Sequence, residues 1–270
     1  MSKELTVMSW NLLDGINSLE VQNEILSTEP DIAVLPEAAR EQDGIEASTI
    51  RRFNNAGYDL YERPYADDDD RKDRHRLAIV VKPEHVVGVD AVRISGRTAL
   101  LARLVGGVDL AALHLDDRTE KNRLRQAEQA IAQLGKTALA IGDTNALYGD
   151  TFQSRLLRMS APFANLLPSI EPGIQNPPKV RRLGSLSQRM TAFAIGTTMQ
   201  AFTEAEFRDA SEDGAATMIK GPIALQLDRV MYRGDFSVVK PTQVDDAGGL
   251  SDHKRIQARL ACYPQLRART

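Results

Sequence analysis

Short apolar runs, most of them closed by a polar side chain, set the rhythm of this chain. Leu5 to Ser9 ends at Trp10 and Asn11, and Ile32 to Leu35 ends at Pro36 and Glu37. Runs of this length read as strands, and the uniformly apolar ones as strands buried on both faces. Between the two, Leu19, Ile25 and Leu26 mark a helix, Asn17 and Glu20 give a capping box at its start, and Pro30 ends it. Strand, helix, strand in this order predicts a parallel pair joined by a right-handed crossover.

Ile45 to Ala56 predicts a second helix and Tyr58 to Tyr61 a short strand. From Arg76 the pattern turns to antiparallel β, with strands over Leu77–Val81, Val86–Ile94, Ala99–Val105 and Val108–Leu113 and a two-residue turn at Gly106-Gly107. The last of these delivers His114. Asp117 and Glu120 then cap a helix with Leu124, Ala127, Ile131 and Leu134 on one face. Ala138 to Ile141 is a buried strand that Gly142 is expected to stop, with Asp143 and Asn145 immediately after. Strand geometry carried through both would put their side chains on one side: an acceptor-only carboxylate beside an amide that both donates and accepts. That pairing suits a water held by the acid and an oxyanion held by the amide, although Gly142 to Asn145 also suits a plain turn. Further on, Leu225 to Tyr232 predicts a strand carrying Asp228, with Phe236 to Lys240 pairing to it across Gly234-Asp235. Ser251, Asp252 and His253 feed a period-two strand through Ile256, Ala258 and Leu260.

Composition adds little that narrows the class. An apolar fraction of 42% and a charged fraction of 26% are ordinary for a globular protein. The net charge of −3 gives no global field toward nucleic acid or anionic lipid. A single cysteine, Cys262, excludes an internal disulfide and fits a reducing compartment. No apolar segment has signal-peptide or membrane length. The expectation is a cytoplasmic monomer without membrane insertion, built as one domain over residues 1–270, since no repeat, linker or composition break divides the chain. Asp67 to Arg76 is a run of mixed charge that reads as a solvated hairpin loop, because crowded carboxylates on a loop lack the fixed geometry Mg²⁺ demands. Asn176 to Arg189 holds four cations and no acid; it reads either as the lining of a phosphate-rich channel or as a surface loop.

Polar residues at strand ends make a second pattern: Asn11, Glu37, His114, Asp143, Asn145, Asp228, Asp252 and His253. Each has an innocent reading on its own, as a turn, an edge residue or a satisfied histidine. Taken in order, Ser9-Trp10-Asn11, Leu35-Pro36-Glu37, Leu113-His114-Leu115, Gly142-Asp143-Thr144-Asn145, Leu227-Asp228-Arg229 and Ser251-Asp252-His253 resemble the successive motifs of the endonuclease/exonuclease/phosphatase superfamily, the DNase I-like fold. Arg123 with Gln126, and Phe207 to Ala210, add to the resemblance, which runs from Leu5 to Leu260. Pro36 and Thr144 depart from the usual motif residues but replace no ligand. His114 is similar to the branch with DNase I, sphingomyelinases and tyrosyl-DNA phosphodiesterases, whereas of the inositol-phosphate 5-phosphatase signatures chiefly Asp228-Arg229 is present.

The resemblance implies an α/β (α+β) fold, a four-layer α/β/β/α sandwich of two mixed sheets face to face with helices outside and the site at one end. It implies a Mg²⁺-dependent phosphoesterase, most of all a phosphodiester hydrolase, with Mn²⁺ as a substitute ion. In that reading Glu37 is the principal metal ligand, assisted by Asn11 and Asp252 directly or through water. Asp143 orients and deprotonates the water, Asn145 holds it or a non-bridging oxygen, and His253 is oriented by Asp228. His114 donates to the phosphoryl oxygens. Either Asp143 or His253 could serve as general base. A nuclease or DNA-repair enzyme acting on nucleic acid is the alternative substrate reading, and a binding module that kept the fold without the chemistry is the alternative class.

Overall fold

The computed structural model describes residues 3–40, 43–64, 75–146, 196–211, 216–220 and 223–263. The mixed charge run before His75 and the basic stretch from 179 to 189 therefore lie outside the described residues. In chain order the described elements are β1 (Lys3–Ser9), α1 (Leu19–Ser27), β2 (Ile32–Leu35), α2 (Ala47–Asn55), β3 (Asp59–Pro64), β4 (Arg76–Val81), β5 (Val86–Ile94), β6 (Arg97–Leu104) and β7 (Val108–His114). They continue with α3 (Glu120–Ala132), β8 (Ala138–Asp143), α4 (Thr197–Glu204), β9 (Arg208–Asp209), β10 (Met218–Lys220), β11 (Ile223–Leu225), β12 (Asp228–Arg233), β13 (Phe236–Asp245) and β14 (Arg255–Cys262).

Two six-stranded sheets form, in the orders β13-β14-β1-β2-β4-β3 and β5-β6-β7-β8-β12-β9. Alternation along each strand divides its residues between two apolar layers. Val7, Val34, Ile79, Leu110, Leu139, Ile141 and Val230 meet in the core between the sheets. Met8, Ala33 and Val80 face the other way, against Val21 and Ile25 of α1 and Phe53 of α2. Ala111, Leu113 and Ala140 face Ala127 and Ala130 of α3 and Met199 and Phe202 of α4. Both faces of the central strands are covered, so β2 and β8 read as unbroken apolar runs. The result is the expected four-layer α/β/β/α sandwich.

Each sheet holds one parallel pair, β1 with β2 and β7 with β8. Parallel strands discharge their C-terminal ends on the same side, so Asn11, Glu37, His114 and Asp143 all emerge at one end of the sandwich. Gly142 does not stop β8. It pairs with Leu113 at φ 137°, and a Cβ there would sit 2.0 Å from the Leu113 carbonyl oxygen. Glycine thus lets the strands close up where they hand over His114 and Asp143. Gly142→Ala is expected to lower unfolding free energy by at least ~3 kcal/mol, read by urea denaturation, because the strain and the clash add; a wild-type midpoint would contradict this.

Several local expectations shift. The cap of α1 is Ser18, whose side chain accepts from the Val21 N–H, because the side-chain oxygen of Asn17 accepts instead from the Glu46 N–H and the Thr49 hydroxyl. Leu19 is exposed as a consequence. The cap of α3 is Thr119 rather than Asp117. The buried face of that helix carries Arg123 and Gln126 beside Ala127 and Ala130, while Leu124 is half-buried. The β6–β7 turn spans three residues, since Leu104 pairs with Val108. β4 lies in the first sheet between β2 and β3, not beside β5. Phe236 does not continue a hairpin with β12: β13 crosses to the first sheet and pairs with β14, placing Phe236 between the sheets against Tyr232.

Candidate active site

Six segments far apart in sequence meet where the parallel pairs end. Asn11 is the hub. Its amide nitrogen donates to Glu37 Oε1 and to Asp143 Oδ2, both at 3.1 Å, and its own side-chain oxygen accepts from the Leu13 N–H. Glu37 follows β2 with a left-handed backbone, φ 47°, which turns the chain as the strand ends. His114 Nε2 stands 3.6 Å from Glu37 Oε1 and 3.8 Å from Asp143 Oδ2.

Asp143 and Asp228 face each other across the antiparallel β8–β12 register. His253 enters from the loop before β14 and places Nδ1 2.8 Å from Asp228 Oδ2 and Nε2 4.0 Å from Asp143 Oδ2. The supports are specific. The Trp10 indole N–H donates to the His253 carbonyl (3.1 Å), and Ser251 Oγ donates to the Asn11 carbonyl (2.7 Å) while accepting from the His253 N–H (3.1 Å). Thr217 Oγ1 accepts from the N–H groups of both Leu227 and Asp228.

The strand does not persist beyond Asp143. Asn145 adopts φ 48°, donates its backbone N–H to Asp143 Oδ1 (2.9 Å) and turns its side-chain nitrogen to the Leu115 carbonyl (3.0 Å). It therefore fixes the Asp143 carboxylate through the backbone, and its amide nitrogen is already engaged. Asp252 is exposed beside His253.

Burial and neighbouring charge set the protonation states. Burial, then the charge of Asp228, push the Asp143 carboxyl up to about 7, with His253 and the hydrogen bonds from Asn145 and Asn11 holding it back. Burial alone would lower the His253 imidazole; the charge and hydrogen bond of Asp228, with Asp143 and Asp252 adding, raise it to about 10. Burial and the nearby Arg97, His75 and His253 hold His114 well below the usual histidine range, so it is a neutral imidazole.

Two residues went unnoticed in the sequence, His75 and Asp14. His75 Nδ1 lies 2.7 Å from Asp14 Oδ1 and 3.8 Å from Glu37 Oε2. The chain has only four histidines, and three of them stand within 4.0 Å of Glu37 or Asp143. That scarcity was the available signal; the charge run around His75 masked it.

A divalent cation suits this donor set. Glu37 and Asp143 bring two carboxylates onto the one Asn11 amide, and Asp143 crowds against Asp228 and His253, their polar atoms within 4.8 Å of one another. Asp228 Oδ1 is buried with no hydrogen-bond partner among the described residues. Buried carboxylates crowded enough to hold Asp143 protonated toward neutrality are relieved by a hard, oxygen-binding ion.

A four-layer sandwich with acids, amides and histidines gathered at one end defines a DNase I-like protein. The chain belongs to the Endonuclease/Exonuclease/phosphatase family, whose model matches residues 8–253. No curated protein matches the sequence. Its fold is similar to the endonuclease/exonuclease/phosphatase from Beutenbergia cavernae, with a TM-score of 0.66 and 18% identity over 96% of this chain and 72% of that one. It is also similar to ANGEL2, a 2′,3′-cyclic phosphatase solved with adenosine-2′,3′-vanadate (TM-score 0.61, 14% identity, 97% of this chain and 96% of that one). The endonuclease domain of TRAS1, a telomere-specific non-LTR retrotransposon, gives a TM-score of 0.55 at 14% identity, over 97% of this chain and 100% of that one. The family is one of hydrolases acting on phosphoester bonds, and no helix among the described residues is long and apolar enough to cross a membrane.

Proposed function

We propose that this protein is a Mg²⁺-dependent phosphodiester hydrolase. The observation that supports this most is the unbroken polar line from Glu37 through Asn11 to Asp143, with His253 and Asp228 beyond it. Glu37 would hold the cation, with Asp252 assisting through water and Asn11 acting through water and by aiming the Glu37 carboxylate; when bound, the ion neutralises phosphoryl charge and orients the ester. Asp143 takes the proton of the attacking water as its oxygen bonds to phosphorus and the ester P–O bond breaks. Its carboxyl, near 7 and fixed on both oxygens, suits a base at neutral pH, whereas His253 already carries its proton. The His253 imidazolium, held by Asp228, and neutral His114 face the developing negative charge as donors. Asn145 keeps Asp143 aimed.

Nucleic acid remains the alternative source of the phosphodiester, since both an endonuclease and a phosphatase share the fold. A module without chemistry is disfavoured because all eight candidate positions keep competent side chains and most stand together. Rates on bis-p-nitrophenyl phosphate, p-nitrophenyl phosphate, single-stranded and duplex DNA, with Mg²⁺ and with chelator, test the reading. Diester turnover should require Mg²⁺, rise as pH passes the Asp143 value of about 7 (lower once the cation is bound) and fall as His253 deprotonates near 10. Turnover that is unchanged in chelator, or that falls as pH rises through neutrality, would contradict it.

A further inference from the structure

We infer that Asp14 and His75 form a positioning pair for Glu37, so that the site's hold on its cation depends on two residues that do not bind the cation themselves. This rests on the proposed role of Glu37. The two oxygens of that carboxylate are addressed by different groups: Oε1 by Asn11 at 3.1 Å and His114 at 3.6 Å, Oε2 by His75 Nδ1 at 3.8 Å. His75 is itself fixed, with Nδ1 2.7 Å from Asp14 Oδ1, and Asp14 takes Arg40 Nε on its other oxygen at 3.1 Å. The one nitrogen, Nδ1, thus faces both carboxylates, bonded to Asp14 and 3.8 Å from Glu37 Oε2. Without the imidazole, Asp14 and Glu37 would lose the polar group that both of them face.

The backbone makes this arrangement stiff. Asp14 N–H donates to the Glu37 carbonyl at 2.7 Å, with Leu12 to Pro36 and Ile16 to Ala38 on either side at 3.0 Å. Ala38 N–H donates to the Arg76 carbonyl at 2.8 Å, Arg76 N–H to the Ala39 carbonyl at 2.6 Å, and Arg40 bridges to His75. Three segments, 12–16, 36–40 and 75–76, are therefore sewn together behind the carboxylate. Asp14 holds a left-handed backbone, φ 69°, that glycine or asparagine would also accept, yet only the acid accepts on both oxygens at once, from the imidazole and from Arg40, and brings a charge to both. Groups that orient a ligand from behind typically change metal affinity or activity 10–100-fold when removed.

The test is calorimetric titration of MnCl₂ into the full-length protein, with thermal midpoints in EDTA for each variant. Asp14→Asn keeps the left-handed turn. Asp14→Asn and His75→Ala should each weaken Mn²⁺ binding roughly 10-fold or more with the EDTA midpoint near wild type. The double variant should be no weaker than His75→Ala alone, as expected of two groups acting as a unit. Wild-type affinity in both single variants, or additive losses, would overturn the pair. Glu37→Gln is the control: lost binding there with no effect of Asp14→Asn removes the pair but keeps Glu37, whereas wild-type binding by Glu37→Gln removes the role of Glu37 itself.

Discussion

Glu37→Gln is expected to lower Mg²⁺-dependent turnover of bis-p-nitrophenyl phosphate by at least ~10²–10³, the cost of removing one well-placed electrostatic group. The reason is specific to this carboxylate. Asn11 bridges it to Asp143, so Glu37 lies on the same polar line as the proposed base, and glutamine keeps the volume and an acceptor for Asn11 while deleting the charge. The side chain is partly exposed, so the substitution leaves no uncompensated group in the core. Circular dichroism and the urea midpoint in EDTA should match the wild type while the rate collapses. Equal rates would remove Glu37 from the site.

The second large effect concerns His253, and here folding and chemistry separate. Asp228 is fully buried, its Oδ2 rests on His253 and its Oδ1 has no hydrogen-bond partner among the described residues. His253→Ala would leave a buried carboxylate alone, a loss on the order of 3–5 kcal/mol in stability. His253→Asn can present a donor near the position of Nδ1 and isolates the catalytic role; its rate should fall by ~10²–10⁴. The pair also leaves a signature in stability against pH. The folded-state value for His253 is raised to about 10 from the usual 6.5, so its stabilisation is complete below 6.5 and is lost as pH rises through 10. Urea midpoints between pH 6.5 and 10 should fall in the wild type and flatten in His253→Asn. A parallel fall in both proteins would deny the pair this energetic weight.

Much of the fold was legible because the central strands are covered on both faces, which forces unbroken apolar runs that stop where the sheet stops. The polar residues at the strand ends were then candidates, and Asn11, Glu37, His114, Asp143, Asp228 and His253 do converge. What escaped the sequence was set by contacts between segments. Asn17 looked like a cap, but the Glu46 N–H and the Thr49 hydroxyl claim its side-chain oxygen and Ser18 takes the role. Phe236 looked like the return of a hairpin, since adjacency suggests pairing, but the core between the sheets draws it across. Asn145 was aimed by strand alternation, yet its left-handed backbone ends that alternation. His75 sat in a run of charges whose sum gives no direction, and only the pairing of residues 36–40 with 75–76 brings it to Glu37.

Anomalous diffraction from crystals grown with Mn²⁺ would test the central claim most directly. The account predicts one strong peak in the space shared by Glu37, Asn11 and Asp143, with a Glu37 oxygen bonded to the ion. A fully occupied ion elsewhere on the chain, or no peak at a Mn²⁺ concentration that supports turnover, would contradict it.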